Sequence, residues 1–174
     1  MVCWGRMRGY TLMELMVTVA LLAIMSAMTA VGLQPLQARY RLRRATDATA
    51  QLLVRARLRA VETGRCHQVE ILADGIPVGS NTPGDALLVS RRRDVDCESP
   101  ANPLAFVEVE RLTLPDRMTV RLEGSRTLVF RPTGRIWDNA PQRFLVGRED
   151  SLRVVMAAPN GPVCTLEDEA GGCP

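Results

Sequence analysis

Lysine is absent from this 174-residue chain, so all 22 of its basic residues are arginine. The exclusion of one basic residue points to a GC-rich genome rather than to a binding device. Histidine occurs once, at His67. A Ser-His-Asp or Cys-His arrangement would therefore rest on one imidazole placed beside Cys66. That adjacency does not suit a metal site either, because neighbours on a strand point to opposite faces. Aromatic residues make up 4% of the chain, too few for a base-stacking platform. There is no Gly-rich phosphate loop, no paired-carboxylate signature, no internal repeat and no low-complexity tract. Glu167, Asp168 and Glu169 form an acidic cluster without the spacing of a calcium loop, and read as a solvated tail. These gaps argue against an enzyme and leave no cofactor or metal to expect.

Charge is also missing from one long stretch. Between Arg8 and Arg39 the only charged side chain is Glu14. The apolar run from Leu15 to Leu33 rises about 28 Å as a helix, enough to cross a bilayer core. An acid at the centre of such a helix costs about 2.5–3.5 kcal/mol on the insertion scale, so Glu14 needs a positive partner. Small residues recur at Ala20, Ala23, Ser26, Ala27, Thr29, Ala30 and Gly32, and permit close helix approach in lipid. A cleavable secretory signal fits poorly, since the run is long and Ala27-Met28-Thr29 is its nearest approach to an Ala-x-Ala site.

The arrangement Arg6, Arg8, Gly9, Tyr10 and Glu14 resembles the class III signal of type IV prepilins and type II secretion pseudopilins. There a short basic leader ends in Gly, an aromatic residue follows, and Glu is the fifth mature residue. The resemblance implies cleavage after Gly9 by prepilin peptidase and methylation of the new amine on Tyr10, which stands where Phe is usual. It also implies that Glu14 neutralises the N-terminal amine of a neighbouring subunit. The fold it implies is α+β and type IV pilin-like: one long N-terminal helix packed on an antiparallel β domain. The expected parts are a leader over 1–9, a membrane half-helix over 10–34, an amphipathic half-helix over 35–65, and a periplasmic β domain over 66–174. The positive-inside count conflicts with that orientation, since Arg39, Arg41, Arg43 and Arg44 outnumber the two leader arginines. The leader motif is more specific, and the cysteines agree with it. Cys3 lies in the leader, while Cys66, Cys97, Cys164 and Cys173 lie beyond the anchor, which suits an oxidising compartment. Four cysteines allow three pairings; a local Cys164–Cys173 loop, leaving Cys66–Cys97, is favoured but not fixed.

Pro35 is expected to bend or restart the helix. After it, Leu42, Ala45, Thr49, Leu52, Leu53, Ala56 and Ala60 recur at three- and four-residue steps, with Arg39, Arg43, Arg55 and Arg59 on the other face. Gly64 is placed to end the helix, with Arg65 favouring its negative terminus. Short apolar runs then predict strands at Gln68–Leu72, Ala86–Arg92, Phe106–Leu112, Met118–Leu122, Thr127–Phe130, Phe144–Val146 and Leu152–Met156. Alternation in Val107-Glu108-Val109-Glu110 and Thr119-Val120-Arg121-Leu122 predicts one buried and one wet face per strand.

Two segments narrow the resemblance to the H-type minor pseudopilin and FimT/FimU minor pilin group. Arg43 through Gly64 is similar to that group's arginine-bearing helix exit. Phe130-Arg131-Pro132-Thr133-Gly134 resembles its Phe-x-Pro-x-Gly turn, in which Phe130 anchors a strand, Pro132 fixes φ and Gly134 permits positive φ. Some FimT proteins bind DNA through a C-terminal Gly-Arg-x-Arg motif. Here the matching place is Gly161-Pro162-Val163-Cys164, without either arginine, so nucleic acid is not expected as a partner by that route. Arg91-Arg92-Arg93 is the substitute patch to weigh. The implied protein is a non-catalytic assembly subunit: an H-type pseudopilin, or alternatively a FimT/FimU-type minor pilin. Its implied partners are other pilins or pseudopilins, prepilin peptidase and the bacterial inner membrane.

Overall fold

The structure is a computed structural model that describes residues 11–93, 97, 106–115, 117–148, 151–166 and 173, with the side chains of 27–35 outside that description. The chain divides into two compact units, Met1–Tyr40 and Arg41–Pro174. Helix α1 runs from Leu12 to Thr63. It continues unbroken through Pro35, so the expected restart there does not occur.

In the second unit the apolar stripe of α1 is buried as its spacing predicts. Leu42, Ala45, Leu52, Leu53, Ala56 and Ala60 all join the core. Thr46 and Thr49 lie on the same buried face, and their hydroxyls donate to the carbonyls of Leu42 and Ala45 at 2.8 and 2.9 Å. Two polar groups thus enter the core with their hydrogen bonds made inside the helix. Gly64 stops the helix in the left-handed region at φ 61°. Arg65 does not stay at that terminus; its guanidinium donates to the Arg93 carbonyl at 2.7 Å.

Nine strands follow: β1 (His67–Ala73), β2 (Ile76–Pro77), β3 (Ala86–Arg92), β4 (Phe106–Thr113), β5 (Thr119–Leu122), β6 (Thr127–Phe130), β7 (Gln142–Arg148), β8 (Ser151–Ala157) and β9 (Val163–Leu166). They form two antiparallel sheets. In the first, β1 pairs β3 on one side and both β6 and the short β2 on the other, and β4 pairs β3 at the edge. The second runs β5-β7-β8-β9. Phe130, Phe144, Leu87, Leu122 and Leu128 from these sheets share one core with the helix stripe. The α+β fold expected from the sequence is the one observed.

Two strands escaped the sequence reading. β2 is a two-residue arm of the hairpin turned by Asp74 and Gly75, both at positive φ. β9 covers part of the Gly161–Cys164 motif position and ends just before the acidic residues 167–169.

Strand β4 reverses an expectation. Val107 and Val109 were to face the core, yet they are 37% and 39% exposed. A bulge between Val89 and Ser90 breaks the alternation, so residues 107 and 109 no longer share one buried face. Glu110 aligns with core residue Val89 and meets Arg55 and Arg59 at 2.6 and 2.5 Å. Cations on the helix make that position suitable for an acid.

Disulfides join Cys66 to Cys97 and Cys164 to Cys173. Gly84 links the sheets, exchanging two 2.8 Å backbone hydrogen bonds with Val120. A Cβ at Gly84 would lie 2.2 Å from the Leu72 carbonyl oxygen and 2.4 Å from Ile71. Gly84→Ala is expected to destabilise the protein by at least about 1–3 kcal/mol, as overpacking does. Gly79→Ala, with nothing nearer than 3.8 Å, is its control. Thermal unfolding of the two variants checks this: a clear drop in Tm for the first alone.

Candidate functional site

The sequence placed its functional residues at the start of α1. Gly9 and Tyr10 lie outside the described residues; Glu14 lies within them, in the first turn. Thr11 caps this helix: the Glu14 amide donates to the Thr11 hydroxyl at 3.3 Å and to its carbonyl at 3.1 Å. Thr11-Leu12-Met13-Glu14 has the spacing of a capping box, a signal legible in the sequence but missed there. Glu14 therefore has a local role at the positive end of the helix. It is exposed, so its carboxylate remains open to a further partner.

From Leu12 to Met25 every large apolar side chain is between 51% and 79% exposed. The hydroxyls in this stretch are turned inward, Thr18 to the Leu15 carbonyl at 2.9 Å and Ser26 to that of Leu22 at 2.7 Å. With those donors satisfied internally, the surface offers little but hydrocarbon. Among the described residues, no helix is long and apolar enough to cross a membrane. The described side chains stop at Ser26, while the apolar run of the sequence continues to Leu33.

The turn after β6 is built as its residues require. Phe130 is fully buried, and Gly134 takes φ 76°. The Gly134 amide donates to the Arg131 carbonyl and the Arg131 amide to that of Arg135, both at 2.8 Å. A Cβ at Gly134 would stand 3.1 Å from Val61 of the helix. Beside it the Arg57 guanidinium donates to the Gly161 carbonyl. The Arg131 guanidinium sits 4.2 Å from the Trp137 ring centroid, a cation–π contact.

Arg91, Arg92 and Arg93 do not make one surface patch. Arg92 is 9% exposed, Arg91 is half-buried opposite His67 in the β1–β3 register, and Arg93 is exposed. At the C-terminal motif position, Val163 and Cys164 belong to β9, and Cys164 is spent on its disulfide. Residues 167–169 lie outside the described residues. Among the described residues, no three His, Cys, Asp or Glu gather as a metal would need.

His67 is buried beside the Cys66–Cys97 disulfide, with Nδ1 3.2 Å from the Arg65 carbonyl. Burial pushes its pKa below the ordinary value of 6.5; the Arg65 carbonyl opposes this, while Arg91 and Arg59 add to it. Glu110 is held below the ordinary carboxylate value, first by its hydrogen bond from Arg55. Burial raises Glu70 instead.

The prokaryotic N-terminal methylation motif matches residues 4–30. The fold resembles that of the type IV minor pilin FimU of Pseudomonas aeruginosa, with TM-score 0.53 and 17% identity over 72% of this chain and 88% of that one. They also resemble the minor pseudopilin EpsH of the type 2 secretion system of Vibrio cholerae, with TM-score 0.52 and 14% identity over 73% and 97%. No curated protein sequence matches. The chain combines the N-terminal methylation motif with a type IV pilin-like fold. Its fold is that of FimU and EpsH, and its methylation motif spans the apolar helix start described above.

The two depressed groups give stability a defined pH dependence. The unfolded chain binds a proton at His67 below 6.5 that the folded chain refuses, so stability is full above 6.5 and falls as pH drops through the folded value. Glu110 acts with the same sign, but only below 4.5. Glu70, raised by burial, acts with the opposite sign above 4.5. In urea midpoints from pH 4 to 8, the rise toward pH 6.5 should therefore be smaller in His67→Gln than in the wild type and unchanged in Glu110→Gln.

Proposed function

We propose that the protein is a minor subunit of a type IV pilin-like filament, without catalytic activity of its own. One observation carries this reading: within a methylation motif matched over residues 4–30, the described apolar surface of α1 is exposed and holds a single acid, Glu14. A water-exposed surface of that kind is costly, and lipid followed by neighbouring helices would cover it. Over the full sequence, Leu15–Leu33 spans the inner membrane and the 66–174 domain lies in the periplasm. The two disulfides support that orientation. Prepilin peptidase cleaves after Gly9, Tyr10 is methylated, and Glu14 meets the new amine of an adjoining subunit.

Within that role we favour an H-type pseudopilin of a type II secretion pseudopilus. The second reading is a FimT/FimU-type minor pilin, supported by a fold likeness to FimU at nearly the same TM-score as that to EpsH. Cross-linking in the native host followed by partner identification separates them: secretion pseudopilins for the first, pilus subunits for the second.

Gly9→Val is expected to block processing, and a wild-type mature N-terminus by mass spectrometry would refute that. Glu14→Gln keeps the capping-box residue type but removes the charge. It should be processed normally yet enter filaments poorly, as should Glu14→Ala. Normal incorporation of both variants, measured in sheared filament fractions, contradicts the charge role.

A further inference from the structure

The outward face of the second sheet carries a cleft of about 680 Å³ at which Arg117, Arg121 and Arg148 converge. The register explains the meeting. Val120, Leu122, Phe144 and Val146 point into the core, so Thr119, Arg121 and Leu145 occupy the opposite face. Across the sheet, Thr119 aligns with Gly147 and Leu152, and Arg121 aligns with Leu145. Arg148 ends β7, and Arg117 enters from the preceding turn at φ 65°. Pro83, Leu145 and Leu152 supply apolar walls.

What sets these three arginines apart is that they converge on one cleft. Arg55 and Arg59 pair with Glu110, and Arg111 pairs with Glu108. Among the described residues none of the three cleft arginines has an ion pair, and Arg121 Nε is buried without an acceptor. Arg117 and Arg148 are exposed, and a carboxylate matches the bidentate geometry their guanidiniums offer.

We propose that this cleft docks an acidic segment of an adjoining protein subunit, with carboxylates on the guanidiniums and apolar side chains against Leu145 and Leu152. The volume and the three separate cations exceed what one small anion fills. Nucleic acid fits less well, because no aromatic ring lines the cleft to stack a base and its walls are partly apolar. That the partner is a filament neighbour rests on the function proposed above; the chemistry of the cleft does not.

The test uses the full chain in detergent and fluorescence anisotropy with three probes: a labelled peptide of alternating Glu and Leu, its Gln-and-Leu counterpart, and a single-stranded oligonucleotide. The acidic peptide is expected to bind saturably, at least roughly tenfold tighter than the neutral one, as charge-assisted bonds imply. Arg117→Gln with Arg148→Gln, both at exposed positions, should abolish that preference with Tm unchanged. Arg121→Gln should weaken it further. Equal binding of the two peptides, no binding of either, unchanged affinity in the double variant, or an oligonucleotide that displaces the peptide would each overturn the proposal. Because the readout needs no filament, its failure is distinguishable from a failure of the Glu14 assembly test.

Discussion

A carboxylate on an otherwise uncharged, apolar helix surface can remain ionised there only where water or a cation reaches it. Glu14 occupies that position at the start of α1. Part of its environment is local: the helix N-terminus, capped by Thr11, favours negative charge within its first turn. That attraction fades when the surrounding apolar side chains enter lipid and the carboxylate must be desolvated with them. In the proposed role, a cation brought by a second chain would decide whether the segment can sit in a bundle of like helices. Processing, methylation and assembly would then follow as one sequence, the peptidase exposing the amine that Glu14 is proposed to meet.

The second unit solves a different problem. Its part of α1 supplies an apolar stripe of mostly small and aliphatic residues, and the two sheets close over it. Packing there is tight enough that Gly84 admits no Cβ, while the turn at Gly134 sits close against Val61. Charge is handled at the margins of this core. Arg55 and Arg59 face the strands with cations, and Glu110 on β4 answers them. The same chain therefore contains one acid satisfied within its own fold and another that the fold leaves open.

How much of this was legible in the sequence depended on whether the signal was local. The helix stripe could be read residue by residue, because burial in a helix follows a fixed period and Leu42 to Ala60 keep it. Most strands are legible to within two residues at each end, and Ala86–Arg92 and Thr127–Phe130 match at both ends, because apolar runs and turn residues mark them directly. β9 is not legible because its four residues, Val163–Leu166, form no clear apolar run and its strand character comes from pairing with β8. The face of β4 was misread for a related reason: a bulge depends on its partner strand, and nothing in Val107-Glu108-Val109-Glu110 announces it. At the helix start, the Thr11-x-x-Glu14 spacing encodes the cap directly, so the same acid carries both a local signal and an intermolecular one. The arginine cleft had no sequence signal at all, since its three residues come from a turn, β5 and the end of β7.

The most direct test of the central claim is the intact mass and N-terminal sequence of the protein isolated from its native host. The account predicts a chain that begins at Tyr10 and carries one added methyl group on its amine. A chain that begins at Met1, or one cut within the apolar run, would contradict it, for Glu14 would then have no processed amine to meet.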